Sequence, residues 1–228
     1  MKKTVLTQNL CSIDYLVAWR YQKKLLKTLL YKKKTNNKYV GYILFAEHFN
    51  VYTLGKSGNI DHISLSSEEL DYNGIYFYNS DRGGGITYHG VGQLVIYPLL
   101  DIEYFFTDIH KSLRMLEEVV INLLDFYRLP AKRSPGESGV WLDVGRLYQR
   151  KICSLGVRIS RWLMMHGLAL NVKTDLRLFT YIIPCGILGK GVSSMQREIG
   201  YKITMNDIIE KFTFIFSDKF QVKIHYFA

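Results

Sequence analysis

Apolar positions along this chain fall into two kinds of stretch, some repeating at helical spacing and others short runs suited to strands, and the switches between them outline its elements. Between Ser12 and Leu30, Leu16, Trp19, Leu25, Leu26, Leu29 and Leu30 recur at helical spacing, with Ser12 suited to cap the helix. The opposite face carries Arg20, Lys23, Lys24 and Lys27, the basic run continues through Lys32, Lys33 and Lys34, and Asn36-Asn37 mark a turn. A second helix is expected at Leu113 to Tyr127, where Leu116, Val119, Val120, Leu123 and Leu124 form one stripe that Leu129-Pro130 ends. Thr204, with Asp207 three residues on, is placed to cap a last helix from Met205 to Phe216, and Asp175 to Tyr181 suits a short one.

Strands are expected at Val40 to His48, Val51 to Leu54, Ile75 to Asn79, Gln93 to Ile102, Met164 to Val172 and Gln221 to Tyr226. Gly139 to Asp143 and Leu147 to Ile159 suggest a hairpin turning at Gly145, while Gly55-Lys56-Ser57-Gly58 and Ser134-Pro135-Gly136 punctuate as loops. Helices and strands mingle without strict βαβ alternation, and neither a repeat nor a linker divides residues 1–228. A single α+β domain is the expectation.

Composition narrows the classes. A chain of 228 residues can bury an ordinary core, and 48% hydrophobic with 22% charged residues excludes a disordered chain. The 17 Tyr and 12 Phe suit either core packing or an apolar ligand groove. A net charge of +10 is compatible with an acidic partner (nucleic acid, an anionic membrane or an acidic protein) and equally with mere solubility. Cys11, Cys153 and Cys185 are odd in number and lack C-x-x-C spacing, so no disulfide framework or zinc site is implied. Lys2 and Lys3 precede no apolar run of signal-peptide length, and no stretch reaches the roughly 18–20 apolar residues of a membrane span. A cytoplasmic location is expected.

Candidate chemistry sits in three places. Arg82-Gly83-Gly84-Gly85-Ile86-Thr87-Tyr88-His89-Gly90 follows a strand, and glycines there let backbone approach a ligand closely, although a tight structural turn would look the same. It is not a phosphate loop: no Lys-Ser/Thr follows it at Walker spacing, and Gly55-Lys56-Ser57 has Asn50 where that pattern needs glycine. Pro184-Cys185-Gly186 would display a thiol on a turn, whereas Cys153, in an apolar strand, suits the usual inert buried cysteine. A nucleophilic thiol needs a neighbouring cation or base, for which His48, His89 and His166 are candidates. Lys151, next to Arg150, would by itself pass for a surface charge.

Order changes this picture. The glycine-rich segment, then Lys151-Ile152-Cys153-Ser154-Leu155-Gly156, then His166-Gly167-Leu168-Ala169-Leu170-Asn171, then Ile183-Pro184-Cys185-Gly186 together resemble the lipoyl(octanoyl) transferases, from about Glu47 to Ser194. The resemblance implies a fold of the biotin/lipoate-protein ligase-like type, with a mixed β-sheet flanked by helices, as one octanoyltransferase catalytic domain. It implies octanoyl transfer from octanoyl-acyl carrier protein, an acidic protein, to a lysine of lipoyl domains. Those acceptors would be the lipoyl domains of 2-oxoacid dehydrogenase complexes or the glycine-cleavage H protein.

By the same resemblance Cys185 and Lys151 are the catalytic pair, the thiol forming an acyl-enzyme and the amine serving the second step. Substrate-binding positions carried over are Arg82, Gly83, Gly84, Gly85, Ile86, Thr87, Tyr88 and His89, then Ser154, Leu155 and Gly156, then Gly167, Leu168 and Ala169. No cofactor, metal, nucleic acid or membrane partner is implied. Two positions depart from the family pattern: Gly85 stands where Gln is frequent, and Val91 where Pro is usual. Three rivals remain. An ATP-dependent lipoate-protein ligase shares the fold but needs no thiol. A nucleic-acid-binding module would use the charge, and a Cys-His hydrolase would use the thiol.

Overall fold

The computed structural model describes residues 2–34, 39–183 and 190–227. In chain order the first elements are β1 (Thr4–Ser12), α1 (Tyr15–Lys34), β2 (Tyr39–Glu47), β3 (Val51–Leu54), α2 (Ser67–Tyr72), β4 (Tyr76–Asn79), β5 (Ile86–His89) and β6 (Gln93–Leu100). There follow α3 (Ile109–Phe126), β7 (Ala131–Ser134), β8 (Glu137–Leu142), β9 (Arg150–Ser160) and β10 (Leu163–Asn171). The chain closes with β11 (Gly191–Val192), α4 (Met195–Ile199), α5 (Met205–Phe220) and β12 (Lys223–Tyr226). The large sheet runs β12-β1-β2-β6-β10-β9-β8-β7, with β11 beside β9, and a small sheet runs β4-β3-β5. Both are mixed: β1 pairs in parallel with β2 and β12, while β2, β6, β10 and β9 are successively antiparallel. The α+β expectation, a mixed sheet flanked by helices, holds.

Alternation along the central strands decides which helix covers which face. Ile43 and Phe45 of β2, with Leu94 and Ile96 of β6, pack in one cluster with Leu116, Val120 and Leu123 of α3 and Phe212 and Phe216 of α5. Their neighbours Tyr42, Leu44, Val95, Tyr97 and Leu99 point the other way, toward Ala18, Leu25 and Leu29 of α1. The small sheet has its own cluster, in which Tyr52, Ile86 and Tyr88 meet Leu70, Ile75 and Phe179.

Some boundaries differ from expectation for identifiable reasons. Ser12 does not cap α1: the β1–β2 ladder still holds at Ile13, whose N–H donates to Glu47 O at 2.9 Å. The helix therefore starts at Tyr15, with Asp14 Oδ1 accepting from Val17 N–H at 3.0 Å. Helix α3 begins before Leu113, because Asp108 is its N-cap and accepts from Lys111 N–H at 3.0 Å. Leu147 is exposed in the β8–β9 connection, so β9 begins only at Arg150. Thr204 caps α5 as expected, accepting from Asp207 N–H at 3.2 Å. No helix among the described residues is long and apolar enough to cross a membrane.

Candidate active site

The glycine-rich segment is a clamped loop. Lys56 N–H donates to Arg82 O at 3.0 Å, Gly55 N–H to Gly85 O at 3.1 Å and Ser57 N–H to Gly84 O at 3.3 Å, while Gly83 N–H reaches across to Val157 O of β9 at 2.9 Å. Gly84 has φ +83°, where a side chain would be strained. Gly55 is equally constrained from the other side: a Cβ there would lie 2.3 Å from Gly84 O and 2.8 Å from Arg82 Nη1. The Arg82 side chain is buried and folds back into its own scaffold, donating from Nε to Thr53 Oγ1 at 3.1 Å, from Nη2 to Thr53 O at 2.5 Å and from Nη1 to Gly83 O at 2.9 Å.

Beneath this loop lies a pocket with about 450 Å³ of empty space, part of it open solvent. Arg82, Gly84, Thr87 and His89 form one wall; Ser154, Leu155 and Gly156 of β9 with Gly167, Leu168 and Ala169 of β10 form the facing one. Tyr15, Val95, Tyr97 and His166 complete the lining. Thus ten of the fourteen positions carried over by resemblance border one cavity (Arg82, Gly84, Thr87, His89 and the two triplets). Gly83, Gly85, Ile86 and Tyr88 do not. Period two explains the division within β5: Thr87 and His89 face the pocket, while Ile86 and Tyr88 face the small-sheet cluster, where Tyr88 donates to Asn50 Oδ1 at 2.7 Å.

Several of the pocket's polar side chains are hydrogen-bonded within the protein, while the buried Thr87 hydroxyl finds no partner among the described residues. His89 Nδ1 donates to Gln93 Oε1 at 2.7 Å, and that amide donates to Asn171 Oδ1 at 2.9 Å and to Tyr88 O at 3.1 Å. Those bonds fix the tautomer, so His89 Nε2 accepts from the Thr53 hydroxyl at 3.4 Å. Asn171 donates onward to Ser193 O at 3.0 Å, and Ser193 N–H donates to Lys151 O at 2.9 Å. One hydrogen-bonded chain therefore links Arg82, Thr53, His89, Gln93, Asn171 and Ser193 to the backbone of Lys151. Such chains reinforce each other in a low-dielectric interior.

All three candidate histidines are buried. Burial, helped by the charges of His48 and Arg82, lowers His89 to about 3, and burial lowers His48 to about 4, so both rings are neutral near pH 7. His48 donates from Nδ1 to Ile13 O at 2.7 Å and accepts at Nε2 from the Tyr97 hydroxyl at 2.6 Å. Tyr15 stacks on His89, with ring centroids 5.9 Å apart and planes 11° from parallel. His166 has φ +60°, an uncommon backbone state that aims its Nε2–H at Asp81 Oδ1, 2.6 Å away. Burial alone would raise Asp81, but the His166 hydrogen bond and the Arg158 charge outweigh it and hold the carboxyl at about 2. For His166, burial outweighs the carboxylate and lowers the ring below its ordinary value.

Lys151 lies on β9 outside the pocket lining. It is buried, and its Nζ sits 4.5 Å from the centroid of the equally buried Trp141 ring, which faces it across the β8–β9 ladder. Lys190 Nζ approaches the same ring at 5.2 Å and pairs with Glu137 at 2.6 Å. Cys185 and its neighbours Pro184 and Gly186 lie outside the described residues. Cys153 is fully buried, and burial pushes its thiol up, as suits an inert core cysteine. Cys11 is exposed at the end of β1.

Sequence reading did not single out Tyr15, Asp81, Val95 or Tyr97. Tyr15 opens α1 and Val95 and Tyr97 alternate along β6, so each carries the same pattern as a core residue. Asp81 had a usable signal in its position beside Arg82.

The mixed sheet with helices on both faces has the fold of the lipoate- and biotin-protein ligase catalytic domains. Among solved structures, a bipartite lipoate protein ligase from Thermoplasma acidophilum superimposes with a TM-score of 0.71 at 17% identity, covering 100% of this chain and 88% of that one. A lipoate-protein ligase A bound with ATP gives a TM-score of 0.70 at 15% identity, over 100% of this chain and 90% of that one. At such identities the likeness concerns the fold alone. Residues 14–217 match the family model of the lipoyl protein ligase A/B catalytic domain. An octanoyltransferase of Christiangramia forsetii is 50% identical over 99% of this chain and 100% of its own length, and one of Bacteroides fragilis is 45% identical over 87% and 90%. The chain belongs to the octanoyltransferase family of lipoyl protein ligase A/B catalytic domains.

Proposed function

We propose that this protein transfers an octanoyl group from octanoyl-acyl carrier protein to a lysine amine of a lipoyl domain, by way of an octanoyl thioester on Cys185. The observation that carries this reading is the convergence of the glycine loop and the two β-strand triplets on a single pocket in which His89, Tyr97 and Arg82 are already hydrogen-bonded. Such a lining suits an unbranched acyl chain, each buried methylene contributing roughly 0.8 kcal/mol. Relatives named octanoyltransferase reach 50% identity, whereas the lipoate-protein ligases that superimpose lie at 15–17%, which favours transfer over ATP-dependent ligation.

In the first step the Cys185 thiolate attacks the thioester carbonyl, the tetrahedral intermediate collapses, and the carrier's phosphopantetheine thiolate leaves and takes up a proton. Backbone N–H groups of the strand triplets are candidates to stabilise the oxyanion. In the second step the acceptor lysine, as the free amine, attacks the acyl-enzyme; an amide forms, the Cys185 thiolate is released, and the amine proton passes to Lys151 acting as base. Transfer through a cysteine distinguishes this from adenylate chemistry, since the acyl group arrives already activated. The test is direct: purified protein, octanoyl-carrier protein and an unmodified lipoyl domain, without nucleotide, should yield a lipoyl domain heavier by one octanoyl group. Acylation only from free acid plus ATP would overturn the proposal in favour of a ligase.

A further inference from the structure

We propose that the groove between α1 and the β9–β10 hairpin docks an acidic, amphipathic helix of the acyl-donor carrier protein. This inference rests on the donor reading above. The groove offers about 830 Å³ of empty space, part of it open solvent. Leu26 and Leu30 of α1 and Leu163 and Met165 of β10 provide its apolar surface. Lys23, Lys27, Arg158 and Arg161 also line it, and no acidic residue does. An apolar floor rimmed by cations is the complement of a helix with an apolar stripe and carboxylate borders.

Two rim residues are held where they are by identifiable means. The Lys23 ammonium sits 3.9 Å from the centroid of the Trp19 ring. Arg161 occupies the tip of the β9–β10 hairpin, where it and Trp162 have φ +53° and +63°, the left-handed pair of a two-residue turn that Asn-Gly adopts most easily. Side chains other than Gly, Asn and Asp adopt that backbone state rarely. Trp162 is anchored, its carbonyl accepting from Ile102 N–H at 2.9 Å and its ring packing on the main core, and Arg161 is left exposed beside the groove.

The groove also adjoins the acyl pocket. Arg158 of the groove is ion-paired to Asp81, and Asp81 holds His166 of the pocket lining at 2.6 Å. A carrier seated there has its prosthetic arm beside the pocket mouth.

The fold supplies its own control. Lys24 is exposed on α1 but does not line the groove, so Lys24→Glu changes net charge as much as Lys27→Glu without touching the site. Transfer rates should be measured with two donors, octanoyl-carrier protein and octanoyl-pantetheine, across a salt series. The double variant Lys27→Glu/Arg161→Asn keeps a residue suited to the turn while removing its charge. It is expected to raise KM for the carrier-bound donor about tenfold, with kcat retained and salt dependence flattened, and to leave octanoyl-pantetheine unaffected. Lys24→Glu should change the same KM less than about twofold.

Equal losses with both donors, equal effects of Lys24→Glu and the double variant, no change in any variant, or a rise in KM for the lipoyl domain instead would each overturn the docking assignment. Failure of the donor reading looks different: unaltered protein would use octanoyl-pantetheine and not the carrier, and the docking assignment would fall with it.

Discussion

Replacing Gly55 by alanine is the sharpest test that the glycine loop is held as a rigid wall. Gly55 does not border the pocket, but a methyl there would sit 2.3 Å from Gly84 O, 2.9 Å from Gly83 O and 2.8 Å from Arg82 Nη1. Ordinary contact begins near 3.4 Å, so the loop must retreat by about 1 Å. That movement weakens the bonds from Gly55, Lys56 and Ser57 to the loop carbonyls. Overpacking of this kind costs about 1–3 kcal/mol. For a chain of this size that is a fall in Tm of about 2–12 °C. A displacement of about 1 Å in a substrate-positioning wall can cost up to about 100-fold in rate. Thermal unfolding by circular dichroism, with kcat/KM for octanoyl transfer measured well below the variant's Tm, gives both quantities. Gly191→Ala is the control, because among the described residues its Cβ meets only Arg150 Cβ at 3.5 Å, and it should stay within about 0.5 kcal/mol. Unchanged Tm and unchanged kcat/KM in Gly55→Ala would refute the clamped-loop description.

Tyr97→Phe removes the donor to His48 Nε2, a fully buried acceptor, and should lower stability by about 1–3 kcal/mol; an unchanged urea midpoint would show that the bond contributes nothing. Protonation gives a second check. His48 and His89 are depressed to about 4 and about 3 in the folded chain, so below the unfolded value of about 6.5 the unfolded state binds protons first. Stability should therefore fall from pH 6.5 to 5 by up to about 1.4 kcal/mol per pH unit for each ring. Asp81, depressed to about 2, adds stability above its unfolded value of about 3.9 that is lost as pH falls toward 2. Urea midpoints that stay level between pH 6.5 and 5 would contradict the neutral buried rings, and His89→Gln should flatten the slope. If Lys151 is the base of the second step, Lys151→Arg and Lys151→Met should both lose at least about 100-fold in transfer; retention by Arg alone would make it an electrostatic helper instead.

How much of this was legible depended on whether a residue's role showed in its neighbours. The stripe of α3, the capped start of α5 and the apolar runs of β2 and β6 are local patterns, and the elements appear close to where those patterns lie. Strand β1 was missed: Thr4–Ser12 is short of apolar residues toward its end, and its strand state comes from β2 and β12 on either side. Two capping residues, Ser12 and Asp14, competed for one helix start, and a long-range bond at Ile13 decided between them. Helix α2 carries its own local signal, a capping box of Ser66 and Glu69. At the site, the loop and the two triplets were identifiable as segments because glycines and their order are distinctive. The residues that finish the pocket were not, since Val95 and Tyr97 differ from core residues only in facing an empty space. The bonds from Thr53 to His89 and from Gln93 to Asn171 join positions 36 and 78 residues apart, a relation no window of sequence contains.

The central claim is a covalent acyl group on Cys185, and it can be measured without the acceptor. Protein incubated with octanoyl-carrier protein alone, then analysed by intact mass and peptide mapping, should carry one octanoyl group on the Cys185 peptide. That group should disappear when a lipoyl domain is added and reappear on the domain's lysine. No adduct under conditions that support transfer, or an adduct on Cys153 or Cys11 with Cys185 unmodified, would contradict it.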